Sequence, residues 1–181
     1  MMSGGRTKKP KSKQSTQSKA SKRMAGEQST PAIHVERLTA YSDDVAAGIG
    51  RLMPHLSADF TDEPIPKDRL TTIIESPHHE QFVARHDERV VGAATLSIIM
   101  GAGAGNKAWL EDFVANPNAG VRGIGQALWN EMEDWCQERS TDLEFTSRPS
   151  RTAAHAFYAK NGAQIRETSV FKKDLSSQED A

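Results

Sequence analysis

The chain has a single cysteine, Cys136, in 181 residues, which excludes an internal disulfide framework and suits a reducing compartment. It has no run of 18 apolar residues, so no transmembrane helix is expected. The basic N-terminus has no apolar stretch behind it, which argues against a secretory signal. A mitochondrial-type presequence is partly matched, yet the segment lacks the Leu and Phe of an amphipathic face. The cytoplasm is the expected location. Acidic residues are missing from residues 1–25, which hold eight of the 23 Lys and Arg. The remainder has 15 basic against 24 acidic residues, a net of −9 hidden within an overall charge of −1. A basic arm precedes an acidic body.

Residues 1–30 are mostly Lys, Ser, Gln, Thr and Gly, with too little apolar surface to offset the entropy of ordering. A disordered basic tail is expected there, one domain over 31–176, and a second disordered stretch over 177–181. The tail suits non-specific nucleic-acid contact or a solubilising role, but it has no aromatics for base stacking.

Patterning predicts the elements of the domain. Ile33 to Leu38 reads as a strand, and Ser42-Asp43-Asp44 starts a helix running to about Ser57. A second helix runs from near Pro66 to before Pro77. Strands Gln81–His86 and Arg89–Met100 flank an Asp87-Glu88 turn, and the second is apolar on both faces, hence central. Trp109 to Ala115 is a further strand. Val121, Ile124, Leu128, Met132 and Trp135 place one apolar stripe on a helix. Leu143 to Ser147 is a strand, Arg151 to Lys160 a helix ended by Asn161-Gly162, and Ile165 to Lys172 a last strand. The expected class is α/β (α+β): a mixed, mostly antiparallel central sheet of six to seven strands with helices on both faces.

The stretch Ala115-Asn116-Pro117-Asn118-Ala119-Gly120-Val121-Arg122-Gly123-Ile124-Gly125-Gln126-Ala127-Leu128 runs from a strand through glycines into an amphipathic helix. Missing Cβ atoms let a phosphate approach the backbone, and the free N–H groups of a helix start supply an anion site. Glycines placed only for packing would look the same. A P-loop is excluded because Gln126 follows Gly125 where Lys is needed. A dinucleotide fold fits poorly, since the one βαβ unit follows a long antiparallel meander.

The run from Ala115 to Leu128 resembles motif A of the GNAT acyltransferases. Ala154-His-Ala-Phe-Tyr158-Ala-Lys-Asn-Gly162-Ala resembles the same superfamily's A-x-x-F-Y-x-x-x-G-F signature, and Thr146 to Arg151 looks like the turn that leads into it. In element order the likeness spans about Ile33 to Leu175. Two departures stand out: Gly120 replaces the Arg or Gln at the head of motif A, and Ala163 replaces the usual Phe. Arg151 stands where an Asn is common. The resemblance implies an acetyl-CoA-dependent N-acyltransferase working by direct attack in a ternary complex. Phe113, Val114, Ala115, Val121, Arg122, Gly123, Ile124, Gly125, Gln126 and Arg151 would meet the cofactor. No metal or membrane partner is implied, and homodimers are common among such proteins.

Acyl transfer needs a neutral amine. At a lysine-like pKa of ~10.4 only about one molecule in a few thousand is neutral at pH 7, so a base is required. Glu111, on a Leu-Glu-Asp-Phe run similar to a strand of polyamine acetyltransferases, is the candidate base; a substrate-binding or plain surface carboxylate is the alternative. Alternation puts Glu111 and Asp112 on opposite faces. By resemblance, Tyr158 is the general acid for the leaving thiolate; otherwise it is a packed aromatic. A backbone N–H from Phe113 to Ala115 would meet the oxyanion.

Other signals are discounted. Gly101 to Gly105 leads into a strand and reads as a hairpin near the acceptor site. His78-His79-Glu80 lacks partners for a metal set, and Cys136 reads as a buried filler. The acceptor stays open between a small-molecule and a peptide or protein amine, with the acidic body favouring a cation. Two other classes fit the same residues: a catalytically idle acyl-CoA-binding regulatory domain, and a nucleic-acid-associated protein acting through its tail.

Overall fold

The computed structural model describes residues 1–2 and 33–175. Met1 and Met2 apart, the tail expected over 1–30 lies outside the described residues, as does 177–181. Backbone contacts separate Met1–Ala32 from Ile33–Ala181, and the second unit is the one described below.

Its elements are β1 (His34–Arg37), α1 (Asp43–Gly50), α2 (Met53–Leu56), α3 (Lys67–Glu75), β2 (His79–His86), β3 (Arg89–Gly101), β4 (Ala104–Leu110), β5 (Val114–Ala115), α4 (Ile124–Glu138), β6 (Asp142–Glu144) and α5 (Thr152–Lys160). Six strands form one sheet in the order β1-β2-β3-β4-β6, with β5 also paired to β3. Every pairing is antiparallel except β4 with β6. β3 is central, as its doubly apolar composition predicts, with Val90 to Leu96 buried throughout. Asp87 and Glu88 turn the β2–β3 hairpin with φ of 49° and 63°, the left-handed pair that a two-residue loop between twisted strands requires. Gly101 to Ala104 closes the β3–β4 hairpin.

Helices cover both faces. On one, Val45, Ile49, Leu52 and Leu70 from α1 to α3 pack on Val83, Ala93 and Val114. On the other, Ile124, Leu128, Met132 and Trp135 of α4 pack on Phe82, Ala94, Leu96 and Leu110. Cys136 is buried in that second core, and burial pushes its thiol up to about 11. The α4 face needs Gly92 on β3. A Cβ there would lie 2.5 Å from Ile124 Cγ2 and 2.9 Å from Leu128 Cδ1, so the glycine lets the first turns of α4 sit directly on the sheet.

Three expectations are corrected. The helix from Ser42 to Ser57 is two helices. Ser42 caps the first through the Val45 N–H at 3.2 Å, but Pro54 lies at the start of the second, where its missing N–H costs nothing. The strand Trp109–Ala115 is interrupted at 111–113. Ile165 to Lys172 forms no strand; Ile165 and Phe171 are 91% and 92% exposed. Both faces of that segment mix charged and apolar residues, so burial selects neither, and the neighbouring β6 has only three residues to pair with.

Gly92→Ala is expected to lower stability by about 1–3 kcal/mol through overpacking. Urea unfolding checks this: the midpoint should fall with the slope unchanged, and a wild-type midpoint would show that α4 does not press on β3.

Candidate active site

The interruption after β4 is a bulge. Leu96 pairs with Leu110 and Ala93 with Val114, so Glu111, Asp112 and Phe113 oppose only Ala94 and Thr95. The Glu111 N–H donates to Thr95 O at 2.9 Å, and the Phe113 N–H turns back onto Glu111 O at 2.7 Å. One extra residue in a strand breaks the two-residue alternation. Glu111 and Asp112 therefore line the same cavity instead of pointing to opposite faces. Phe113 goes the other way, to within 3.8 Å of the Cβ that Gly125 lacks.

The cavity has a volume of about 540 Å³. Its second wall is α3, with Asp68, Arg69, Thr72 and Ile73; the sheet contributes His79, Thr95 and Ser97. Thr95 is fixed from beneath, its hydroxyl donating to Gln81 Oε1 at 3.0 Å while Gln81 Nε2 donates to Ala94 O at 3.0 Å. Burial pushes the Asp112 carboxyl up from the ordinary carboxylate range, and the Arg69 guanidinium pulls it partly back. Sequence reasoning missed Asp68, Arg69, Thr95 and Gln81, because helix and strands far apart in sequence bring them together.

The second half of the site is the start of α4. Asn116 opens the preceding loop, its side chain accepting from the Asn118 N–H at 2.8 Å. Gly120 and Gly123 have φ of 76° and 92°, a region in which a Cβ is strained. Gly123 is the N-cap, and the first helical bond is Ala127 N–H to Gly123 O at 2.9 Å. The N–H groups of Ile124, Gly125 and Gln126 thus have no backbone partner among the described residues. The first turn also carries no acidic side chain and no side-chain cap. An anion of outside origin fits there, next to the exposed Arg122 and the half-buried Val121. At Gly125 a Cβ would make only ordinary contacts with the protein, at 3.8 Å or more, so the fold itself does not require this glycine. Gln126 is already engaged, its amide donating to Asn161 Oδ1 at 2.7 Å.

Between these halves the sheet opens. The β4–β6 ladder ends at Trp109–Glu144, and beyond it Phe113, Trp129, Phe145, Phe157 and Tyr158 form an aromatic cluster. Phe145 and Tyr158 are the tightest pair, with centroids 4.6 Å apart. The buried Trp129 indole N–H has no acceptor among the described residues. Burial pushes the Tyr158 hydroxyl above the ordinary phenol range, with Arg151 pulling the other way, so it holds its proton at neutral pH. Tyr158 does not line the α3-side cavity; the bulge separates it from Glu111, with Phe113 turned toward one and Asp112 toward the other. Arg151 donates to the Leu56 carbonyl, so a phosphate contact would compete with that bond. Val114 is buried between β3 and the α1 face, while Ala115 is half-buried at the strand end.

The sheet opens around a bulge next to a glycine-initiated helix. Residues 37–163 match the acetyltransferase (GNAT) family, and the chain belongs to it. Members of this family use acetyl-CoA, and the chain is an N-acetyltransferase. Solved structures share the fold. An aminoglycoside acetyltransferase from an uncultured soil metagenomic sample, in complex with trehalose, matches with a TM-score of 0.68 at 20% identity over 80% of this chain and 97% of that one. A Trypanosoma brucei acetyltransferase gives 0.64 at 20% over 80% and 100%. An aminoglycoside N-acetyltransferase in complex with CoA gives 0.62 at 17% over 80% and 96%. No curated protein sequence matches the chain. Among the described residues no helix is long and apolar enough to cross a membrane, and no group of three His, Cys, Asp or Glu could hold a metal ion.

The Asp112 shift has a consequence for stability. Its folded pKa lies above the unfolded one, so the buried charge costs stability at neutral pH and the cost disappears as pH falls below the unfolded pKa. Asp112→Asn is expected to raise the urea midpoint at pH 7 and to lose that advantage near pH 3. An equal effect at both pH values would mean the carboxylate is not desolvated.

Proposed function

We propose that the protein moves an acetyl group from acetyl-CoA to the primary amine of a small cationic acceptor, by direct attack in a ternary complex. The observation that carries this reading is the bulge at Glu111–Phe113, which turns two carboxylates into one cavity beside the open end of the sheet. Acetyl-CoA supplies an activated thioester. The backbone N–H groups of Ile124, Gly125 and Gln126 hold its diphosphate, with Arg122 close by and Gly123 and Gly125 keeping the approach clear. The backbone of Phe113 to Ala115 lies along the open strand edge, where an N–H meets the developing oxyanion.

The cavity receives the acceptor. Asp68, Glu111 and Asp112 outnumber Arg69, so a cationic amine is attracted. Glu111 takes a proton from the ammonium, directly or through water, to free the nucleophilic lone pair. Tyr158, protonated in its aromatic setting, gives a proton to the departing thiolate. The aminoglycoside acetyltransferases of similar fold act on small amines by their names, which agrees with a small-molecule acceptor.

Glu111→Gln and Tyr158→Phe are each expected to lower kcat by at least roughly tenfold while the Kd for coenzyme A stays near wild type. Thiol release with a cationic amine acceptor measures the first and calorimetry the second. Wild-type turnover in either variant would remove that residue from the mechanism.

A further inference from the structure

We propose that the acceptor is a zwitterion: Arg69 binds a free carboxylate of the same small molecule whose amine is bound by Glu111 and Asp112. This rests on the acetyltransferase reading above and narrows its substrate. The reason lies in where Arg69 stands. It is the third residue of α3, in the first turn of the helix. A cation there opposes the helix dipole, at a cost of about 0.3–1 kcal/mol, so helix stability does not call for it. Its guanidinium makes no hydrogen bond or ion pair among the described residues. It faces the cavity that Glu111 and Asp112 line from the other side, and its field reaches Asp112. The two charges occupy different walls, α3 and the bulge, and have not closed into a salt bridge.

An unpaired guanidinium offers a fork of N–H donors matched to a carboxylate. Carboxylates on the facing wall match an ammonium. A molecule carrying both groups complements both walls, and the volume of about 540 Å³ has room for an amino acid or a dipeptide. A purely cationic acceptor, a polyamine or an aminoglycoside, would bring positive charge against Arg69. The lining holds no Phe, Tyr or Trp ring on which a sugar could stack. Asp68, next to Arg69 on α3, leaves the cavity net negative, which favours a zwitterion with one additional positive charge. The chemistry balances as a plain acetyl transfer: the N–C bond forms and the thioester C–S bond breaks. Of the two protons the ammonium gives up, one ends on sulfur and one passes to solvent.

The test uses the full chain, acetyl-CoA and matched acceptor pairs: amino acids and glycyl dipeptides, each beside its C-terminal amide, with polyamines and aminoglycosides alongside. At least one acid, with lysine and ornithine as the leading choices, should exceed its own amide in kcat/KM by about tenfold or more, the worth of a charge-assisted bidentate contact. In Arg69→Ala the acid-to-amide ratio should collapse toward about one, mainly through KM, and Arg69→Glu should invert it. Amides or polyamines used as well as the acids would overturn the proposal, as would a ratio that survives Arg69→Ala. Acetylation of aminoglycosides alone would overturn it while leaving the acetyltransferase reading intact. Failure to bind coenzyme A at all would remove both.

Discussion

Much of this protein depends on how α4 begins. Gly123 holds a left-handed conformation at the N-cap, and among the described residues nothing pairs with the three N–H groups that follow. Such a helix start is normally satisfied by a Ser, Thr, Asp or Asn side chain. Here the cap has no side chain, and Gly92 seats the same turn firmly on β3. The partial positive charge is therefore both fixed in place and left open to an external anion. Cofactor binding, in this account, is the completion of an unfinished helix.

The bulge is the second constraint, and it works through the first. One surplus residue between Leu110 and Val114 sends Phe113 toward α4 and sends Glu111 and Asp112 together into the α3-side cavity. The β4–β6 ladder ends just before it, at Trp109 and Glu144, the last residue of β6. The sheet thus opens next to the start of α4, with the acidic cavity and the aromatic cluster around Tyr158 on either side of the opening. Burial acts on both. It raises the Tyr158 hydroxyl, keeping a proton available, and it raises Asp112, which makes that carboxyl receptive to a cation.

The sequence made the order of elements legible where local chemistry was strong. Asp87-Glu88, the doubly apolar β3 and the glycine-led α4 all formed close to where patterning put them. Boundaries failed where a single residue decided the matter: Pro54 divides one expected helix into two, although it stood in plain view. The last expected strand, from Ile165 to Lys172, had apolar residues but no apolar face, and strand pairing needs the face. Within the candidate site, the glycine-led start of α4 was readable because consecutive residues build it. The α3-side cavity was only half readable. Glu111 could be picked out, but the alternation rule separated it from Asp112, and a bulge leaves no mark in single-sequence periodicity. Arg69 and Thr95 enter the cavity from α3 and β3, a convergence that depends on tertiary packing.

The central claim is that the open N–H groups at the start of α4 bind the diphosphate of acetyl-CoA. Backbone amide NMR during titration with coenzyme A tests it at the atoms concerned. The account predicts that the largest shifts fall on Gly120 to Gln126, with Ile124, Gly125 and Gln126 foremost. Saturable binding that leaves those amides unmoved would contradict it.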